Sequence, residues 1–269
     1  MTITYKLNRA WSEYRRELFF GFWAVPFILI IRLLKPFLWI RFGKLRSDRI
    51  GHYVYEYALT IAENELSNNK TIDLFHSHYH VCNEQFDKMI KRRSFVRDWV
   101  KYLFLWNKAI PFGEKHNTQN NIDPDSRDLC GWLEKANVYL NFTASEEMLV
   151  HEWLQKHNIE KNNFVCLLVR DNAFLPDLDF HEYRNSNIDS YLNACNILTD
   201  AGLTVIRMGK LMKERFTSEN TKIIDYAFLE DKSDLVDIWL FANCKFCIST
   251  GTGIDAVSDI YRKPIMYIN

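Results

Sequence analysis

Cys247-Ile-Ser-Thr-Gly-Thr-Gly-Ile-Asp-Ala-Val-Ser-Asp-Ile-Tyr-Arg-Lys-Pro-Ile-Met-Tyr-Ile-Asn269 closes this chain of 269 residues and decides how its second half is read. A β-prone run, Phe246–Ser249, leads into the small-residue turn Thr250-Gly-Thr-Gly253. A helical pattern follows (Ile254, Val257, Ile260, Tyr261), and then a second β-run, Ile265–Ile268. Strand, turn, helix, strand is a βαβ unit. Its turn is expected to leave backbone N–H groups at a helix N-terminus, where phosphates and other anions bind. Glycine is also what any tight strand-to-helix turn needs, so the turn gains meaning only from what precedes it.

Working outward, Phe164–Val169 is a continuous apolar run suited to a strand buried on both faces. A helix over Ile188–Ala201 closes at Gly202, and strands follow at Thr204–Met208 and Lys222–Asp225. Ser233–Asn243 reads as a helix with Ser233 as N-cap and Asp234 and Asp237 near its start. Further upstream the pattern predicts a strand at Phe37–Phe42, a helix from His52 to Leu66 closed by Asn68-Asn-Lys70, and a strand at Thr71–Phe75. A single helix is predicted from Asn83 to about Trp106. Residues 107–131 carry the chain breakers Pro111, Gly113, Asn117, Asn120-Asn121 and Asp123-Pro-Asp125, and this connecting stretch extends to about Phe142. A helix with Ser145 as N-cap runs to about His157. The fold class is therefore α/β with two doubly wound domains, 36–142 and 143–269, behind an N-terminal segment 1–35.

Hydrophobic residues make up 48% and charged residues 25%, enough to bury a core. The net charge is zero, which gives no case for nucleic acid. It is unevenly placed, however. Residues 1–50 carry ten Lys and Arg against three acids, so this end could meet an anionic surface. Six cysteines in a chain this long and core-rich read as free thiols of a reducing compartment, not as a disulfide scaffold. Cys244-Lys-Phe-Cys247 has CxxC spacing without a second ligand pair, and reads as buried small hydrophobes.

Leu18–Ile31 is an unbroken apolar run, bounded by Arg15-Arg16 and by Arg32 and Lys35. It is shorter than the roughly 20 residues of a spanning helix. It also lacks the flanks and cleavage site of a signal peptide. Two readings remain. One is a helix packed on the main domain. The other is a monotopic anchor, with Trp11, Phe19, Phe20, Phe22 and Trp23 at a lipid interface and arginines on the headgroups. Pro26 is expected to kink or break the helix in either case.

Ligands of open α/β sheets sit at the carboxyl ends of strands, and the second half offers a coherent set there. Arg170 and Asp171 follow the first strand, with Tyr183-Arg184-Asn185 in the ensuing loop. Arg207 lies in the next strand, with Gly209 and Lys210 after it, and Ser249-Thr250-Gly251-Thr252-Gly253 follows the third. Guanidinium forks and helix N–H groups suit a diphosphate. Taken singly, each arginine also reads as a carbonyl cap or a surface ion pair. In the first half, the loop after Phe37–Phe42 carries Arg46, Asp48, Arg49 and Gly51-His52. His76, His78 and His80 alternate after the second strand; they could line a polar cleft or hold a metal, but no carboxylate partner is evident.

Arg49-Ile-Gly-His52, Val169-Arg-Asp171, Tyr183-Arg-Asn185, Ile206-Arg-Met-Gly209 and Ser249-Thr-Gly-Thr-Gly253, in this order, resemble an uncharacterised family of bacterial glycosyltransferases of GT-B architecture, found among cell-surface polysaccharide genes. The likeness runs from Pro36 to the C-terminus. It implies two Rossmann-like domains and hexosyl transfer from a nucleotide-diphosphate sugar to a glycan or lipid-linked acceptor. The implied setting is the cytoplasmic face of the bacterial inner membrane, with no metal and no cofactor beyond the sugar nucleotide. Under it Arg170, Arg184, Asn185, Arg207, Gly209, Lys210 and the Ser249–Gly253 turn hold the donor. Asp48 and His52 are candidate bases, with Asp171 the alternative. GT-B enzymes usually continue past the strand that ends here, so the resemblance makes the donor domain C-terminally short. A polysaccharide pyruvyltransferase-like enzyme and a non-catalytic membrane-associated glycan-assembly protein are the competing readings.

Overall fold

The computed structural model describes residues 3–67, 71–118, 128–137, 140–171, 173 and 183–268, with backbone alone for 3–10. The helix stop at Asn68–Lys70, the breakers Asn120-Asn121 and Asp123-Pro-Asp125, and Asn269 lie outside these residues. The protein is α/β with two parallel sheets, of three and of five strands. It divides into two compact units. Unit 1 comprises 1–48, 56–82 and 90–137; unit 2 comprises 49–55, 83–89 and 138–269.

Helix α1 (Ile3–Phe20) and helix α2 (Ala24–Leu33) open unit 1. The expected break is present, but it falls at residues 21–23 and not at Pro26. Proline is tolerated in a helix's first turn, where its missing N–H leaves no bond unmade, and Pro26 sits there in α2. Gly21 makes the turn possible: a Cβ at this position would lie 2.6 Å from the Tyr102 ring. Strand β1 (Trp39–Leu45) leads into α3 (Ile50–Leu66), whose first turns belong to unit 2, and then into β2 (Thr71–Ser77).

The predicted helix over 83–106 is instead three elements: α4 (Glu84–Arg93), β3 (Phe95–Val96) and α5 (Val100–Ala109). The local pattern is overridden because Val96 is buried in a third strand, registered with Phe75. Helix α5 then covers β1 and β2 through Val100, Leu103 and Phe104, which share a core with Ala24, Ile28 and Phe42. A short helix α6 (Trp132–Lys135) follows, its Trp132 and Leu133 N–H groups donating to the Asp128 carboxylate.

Arg41 is the polar centre of unit 1. It faces Asp73 in the β1/β2 register and donates to it twice, at 2.7 and 2.9 Å, with a third bond to Glu63 at 2.7 Å. Burial alone would lower its pKa, but the two carboxylates outweigh that and raise it.

Unit 2 follows the sequence closely. Helix α7 spans Ala144–Lys156, although its N-cap is Thr143 and not Ser145, because Thr143 and Glu146 form a reciprocal capping box. Strands β4 (Phe164–Leu168), β5 (Thr204–Arg207), β6 (Ile223–Ile224), β7 (Cys247–Ser249) and β8 (Ile265–Tyr267) are all parallel, in the order β6-β5-β4-β7-β8. Helices α8 (Leu192–Asp200), α9 (Asp234–Asn243) and α10 (Ala256–Ile260) connect them, and the Ser233 hydroxyl caps α9 as expected. Gly202, at φ +90°, turns the chain out of α8. The core lies on β4 and β5, around Val165, Leu167, Val205 and Ile248. Cys244 and Cys247 are buried as expected, whereas Cys82 is half-buried and Cys130 exposed. Among the described residues no helix is long and apolar enough to cross a membrane.

Replacing Arg41 by Met strands Asp73 and Glu63 without their cation. Removing one partner of a buried pair costs about 3–5 kcal/mol, and urea denaturation of Arg41→Met is expected to show a loss of that size.

Candidate anion site

Strand β4 lies between β5 and β7, so the order of the unit 2 sheet reverses at β4/β7. Loops leaving two such strands diverge, and their carboxyl ends are where parallel sheets bind ligands. Arg170 begins the loop after β4. Its N–H donates to Thr250 Oγ1 at 2.9 Å, its carbonyl accepts from Ser186 N–H at 3.0 Å, and a bridge pairs it with Asn185. Arg184 donates from Nη1 to the Gly251 carbonyl at 2.8 Å. The two residues are thereby brought to one place, close enough for the charge of Arg184 to act on Arg170. Burial lowers the Arg170 pKa, and the charge of Arg184 lowers it further; Tyr183 and Asp171 offset this only in part. Asn185 Oδ1 is buried beside them with no hydrogen-bond partner among the described residues.

The glycine turn itself differs from expectation. Gly251 N–H donates to Ser249 Oγ at 3.0 Å, Ser249 Oγ donates to Asp255 Oδ2 at 2.6 Å, and Thr252 N–H donates to the same oxygen at 3.0 Å. The donors expected to cradle phosphate are therefore satisfied within the turn, Ser249 and Thr252 by the Asp255 carboxylate and Gly251 by the Ser249 hydroxyl. Asp255 was legible as Thr252-x-x-Asp255, the spacing of a capping box, which the turn does form. Gly251 is required for its φ of +81°, in the left-handed region. Gly253 serves packing: a Cβ on it would lie 2.9 Å from Gly51 N, and one on Gly51 would lie 2.8 Å from Gly253 Cα. The first turn of α3 is further tied to α10 by the Tyr55 hydroxyl, which donates to Asp259.

Several expected donor ligands are committed elsewhere. Arg207 is only 1% exposed and donates to Asp225 at 2.9 Å, beneath the Phe228 ring, so it is a structural cation of unit 2. The reason is its place inside β5, where a guanidinium must find a carboxylate. Lys210 pairs with Asp234 at 3.1 Å. Gly209 has a φ of +157° and packs on Met212. Asp171 accepts Ala173 N–H at 3.0 Å and Lys213 N–H at 2.7 Å, one on each oxygen, and so clamps two loops. His52 is half-buried in the first turn of α3, beside Gly51. Asp48 is half-buried in unit 1, on the loop after β1.

The alternating histidines do not share one environment. His76 is buried against Phe104, and burial pulls its pKa down to about 4. His78 stacks on Tyr79, and its Nδ1 accepts from His80 N–H at 3.3 Å. Among the described residues no three His, Cys, Asp or Glu side chains form a metal-holding group.

Burial raises the Asp255 pKa from 3.8 to about 6, against the hydrogen bonds from Ser249 and Thr252 that hold it down. An acid raised on folding stabilises the fold while protonated. That contribution is complete below the unfolded value and is lost as pH climbs through the folded one. Asp237, likewise raised to about 6 by burial, adds to the same trend. His76, lowered to about 4 by burial, opposes this trend over the same range. Measured against the parent, Asp255→Asn is therefore expected to gain urea stability as pH rises from about 4 to about 6.

No family model, curated protein or solved structure matches this chain.

Proposed function

We propose that the chain is a glycosyltransferase of hexosyltransferase type. It moves a sugar from a nucleotide-diphosphate donor to a cell-surface glycan or lipid-linked acceptor, and unit 2 holds the donor's phosphates. The observation that carries this reading is the meeting of Arg170 and Arg184 at the carboxyl ends of β4 and β7, where burial and then the charge of Arg184 lower the Arg170 pKa. Guanidinium forks attract a phosphate dianion or diphosphate, and each can bind it through two N–H groups. The strand order β6-β5-β4-β7-β8 supports it further, being the Rossmann-like order whose switch point receives nucleotides.

In this reading the acceptor hydroxyl attacks the sugar's anomeric carbon while the bond to the diphosphate breaks. The electron pair leaves with the diphosphate, where Arg170 and Arg184 stabilise the developing charge. The acceptor proton passes to a base. His52 is the first choice, because it adjoins Gly51, whose backbone rests on Gly253 of the turn. Asp48 is the second. Asp171 is not, since both its oxygens already accept backbone N–H groups.

Calorimetric titration of the full chain with uridine and guanosine diphosphates and with phosphoenolpyruvate tests the proposal. A nucleoside diphosphate is expected to bind, and Arg170→Ala or Arg184→Ala to weaken it by about ten- to hundredfold, the loss of a charge-assisted hydrogen bond. Binding of phosphoenolpyruvate alone would replace the reading with pyruvyl transfer. Binding of none of them would leave a non-catalytic role.

A further inference from the structure

Helix α2 is apolar on every side but buried on only one. Gly21, Ala24 and Ile28, at helical spacing, face inward, and the last two join the core beside α5. Two neighbouring stripes face out: Trp23, Phe27 and Ile30 on one, Phe22, Leu29 and Leu33 on the other, all exposed. Leu33 is 78% exposed and Phe37, in the turn beyond, 89%. Such a face is larger than a water-soluble surface ordinarily leaves open. It continues onto unit 1 proper through ring contacts from Trp23 to Trp99 at 6.3 Å and from Trp99 to Phe95 at 5.8 Å.

Positive charge is exposed on the preceding helix and beside Phe95. An open depression on α1 is lined by Trp11, Ser12, Arg15 and Arg16, the two arginines exposed. Arg97 lies over the Phe95 ring at 5.3 Å. Arg32, expected at the headgroups, is not part of it. Its guanidinium donates to the carbonyls of Asn107, Ile110 and Pro111 and so closes the end of α5. The ten residues of α2 reach about 15 Å at 1.5 Å per residue, half the roughly 30 Å of bilayer hydrocarbon. A helix of that length lies in an interface and does not span it.

We infer that the outer face of α2, together with the exposed Arg15 and Arg16 of α1, seats unit 1 on an anionic lipid bilayer, with the apolar stripes among the acyl chains and the arginines on headgroup phosphates. Aromatic residues at the edge of an apolar face, with arginines beside them, match the boundary between acyl chains and headgroups. This inference rests on unit 1 alone and is independent of the donor site.

The test is flotation of the full chain with vesicles of phosphatidylcholine alone or with about one-third phosphatidylglycerol. The chain is expected to float with the anionic vesicles, and brominated acyl chains to quench its tryptophan emission. Arg15→Ala with Arg16→Ala should weaken binding about thirtyfold, at roughly 1 kcal/mol per basic residue near the surface. Phe27→Ser with Leu33→Ser, at exposed positions that leave the core intact, should abolish it, with circular dichroism and the melting temperature unchanged. The inference is overturned if the parent does not float, if neither double variant weakens flotation, or if the parent is a dimer that Phe27→Ser with Leu33→Ser dissociates and that ignores lipid.

Discussion

The buried carboxylate of Asp255 is the interaction on which the unit 2 site depends. It accepts from Ser249 and Thr252, and Ser249 in turn accepts from Gly251, so the end of β7 and the turn after it are locked in one conformation. That lock fixes the two groups that place the arginines: the Gly251 carbonyl that receives Arg184, and the Thr250 hydroxyl that receives the Arg170 N–H. A carboxylate held in so little water is costly to ionise, which is why its pKa rises. The turn is a positioning device, and the cations it positions carry the electrostatics.

A sequence shows how many cations a chain has but not which are already committed. Arg207 was grouped with Arg170 and Arg184, Arg32 was expected at lipid headgroups, and Arg41 carried no signal of its own. In the fold, Arg32 caps α5, Arg41 binds Asp73 and Glu63, and Arg207 binds Asp225. Each answers a burial problem, because a guanidinium removed from water must be given acceptors. Asp225, eighteen residues beyond Arg207, carried no local signal of that role.

Unit 2 was the more legible half, for a physical reason. Its central strands β4, β5 and β7 are short apolar runs buried on both faces, and Gly202 and Ser233 mark helix ends through backbone constraints that act locally. The turn's position could likewise be read, while its hydrogen-bonding could not until Asp255 was recognised as the partner of Thr252. Unit 1 was less legible because long-range contacts decide it. Phe95 and Val96 become a strand only because β2 offers an open edge, and α2 starts before Pro26 because Gly21 lets the chain rest against Tyr102. The grouping of Arg170 and Arg184 at one sheet edge was read from the strand ends they follow, whereas the burial of Arg207 on Asp225 was not.

Guanidinium Nε–H resonances offer the most direct measurement, followed by NMR as pyrophosphate and then uridine diphosphate are added to the full chain. The resonances of Arg170 and Arg184 should shift together and saturably, while that of Arg207, held beneath Phe228 on Asp225, stays in place. Unmoved Arg170 and Arg184 signals, or a shift confined to exposed arginines elsewhere, would contradict the assignment of the anion site to the β4/β7 strand ends.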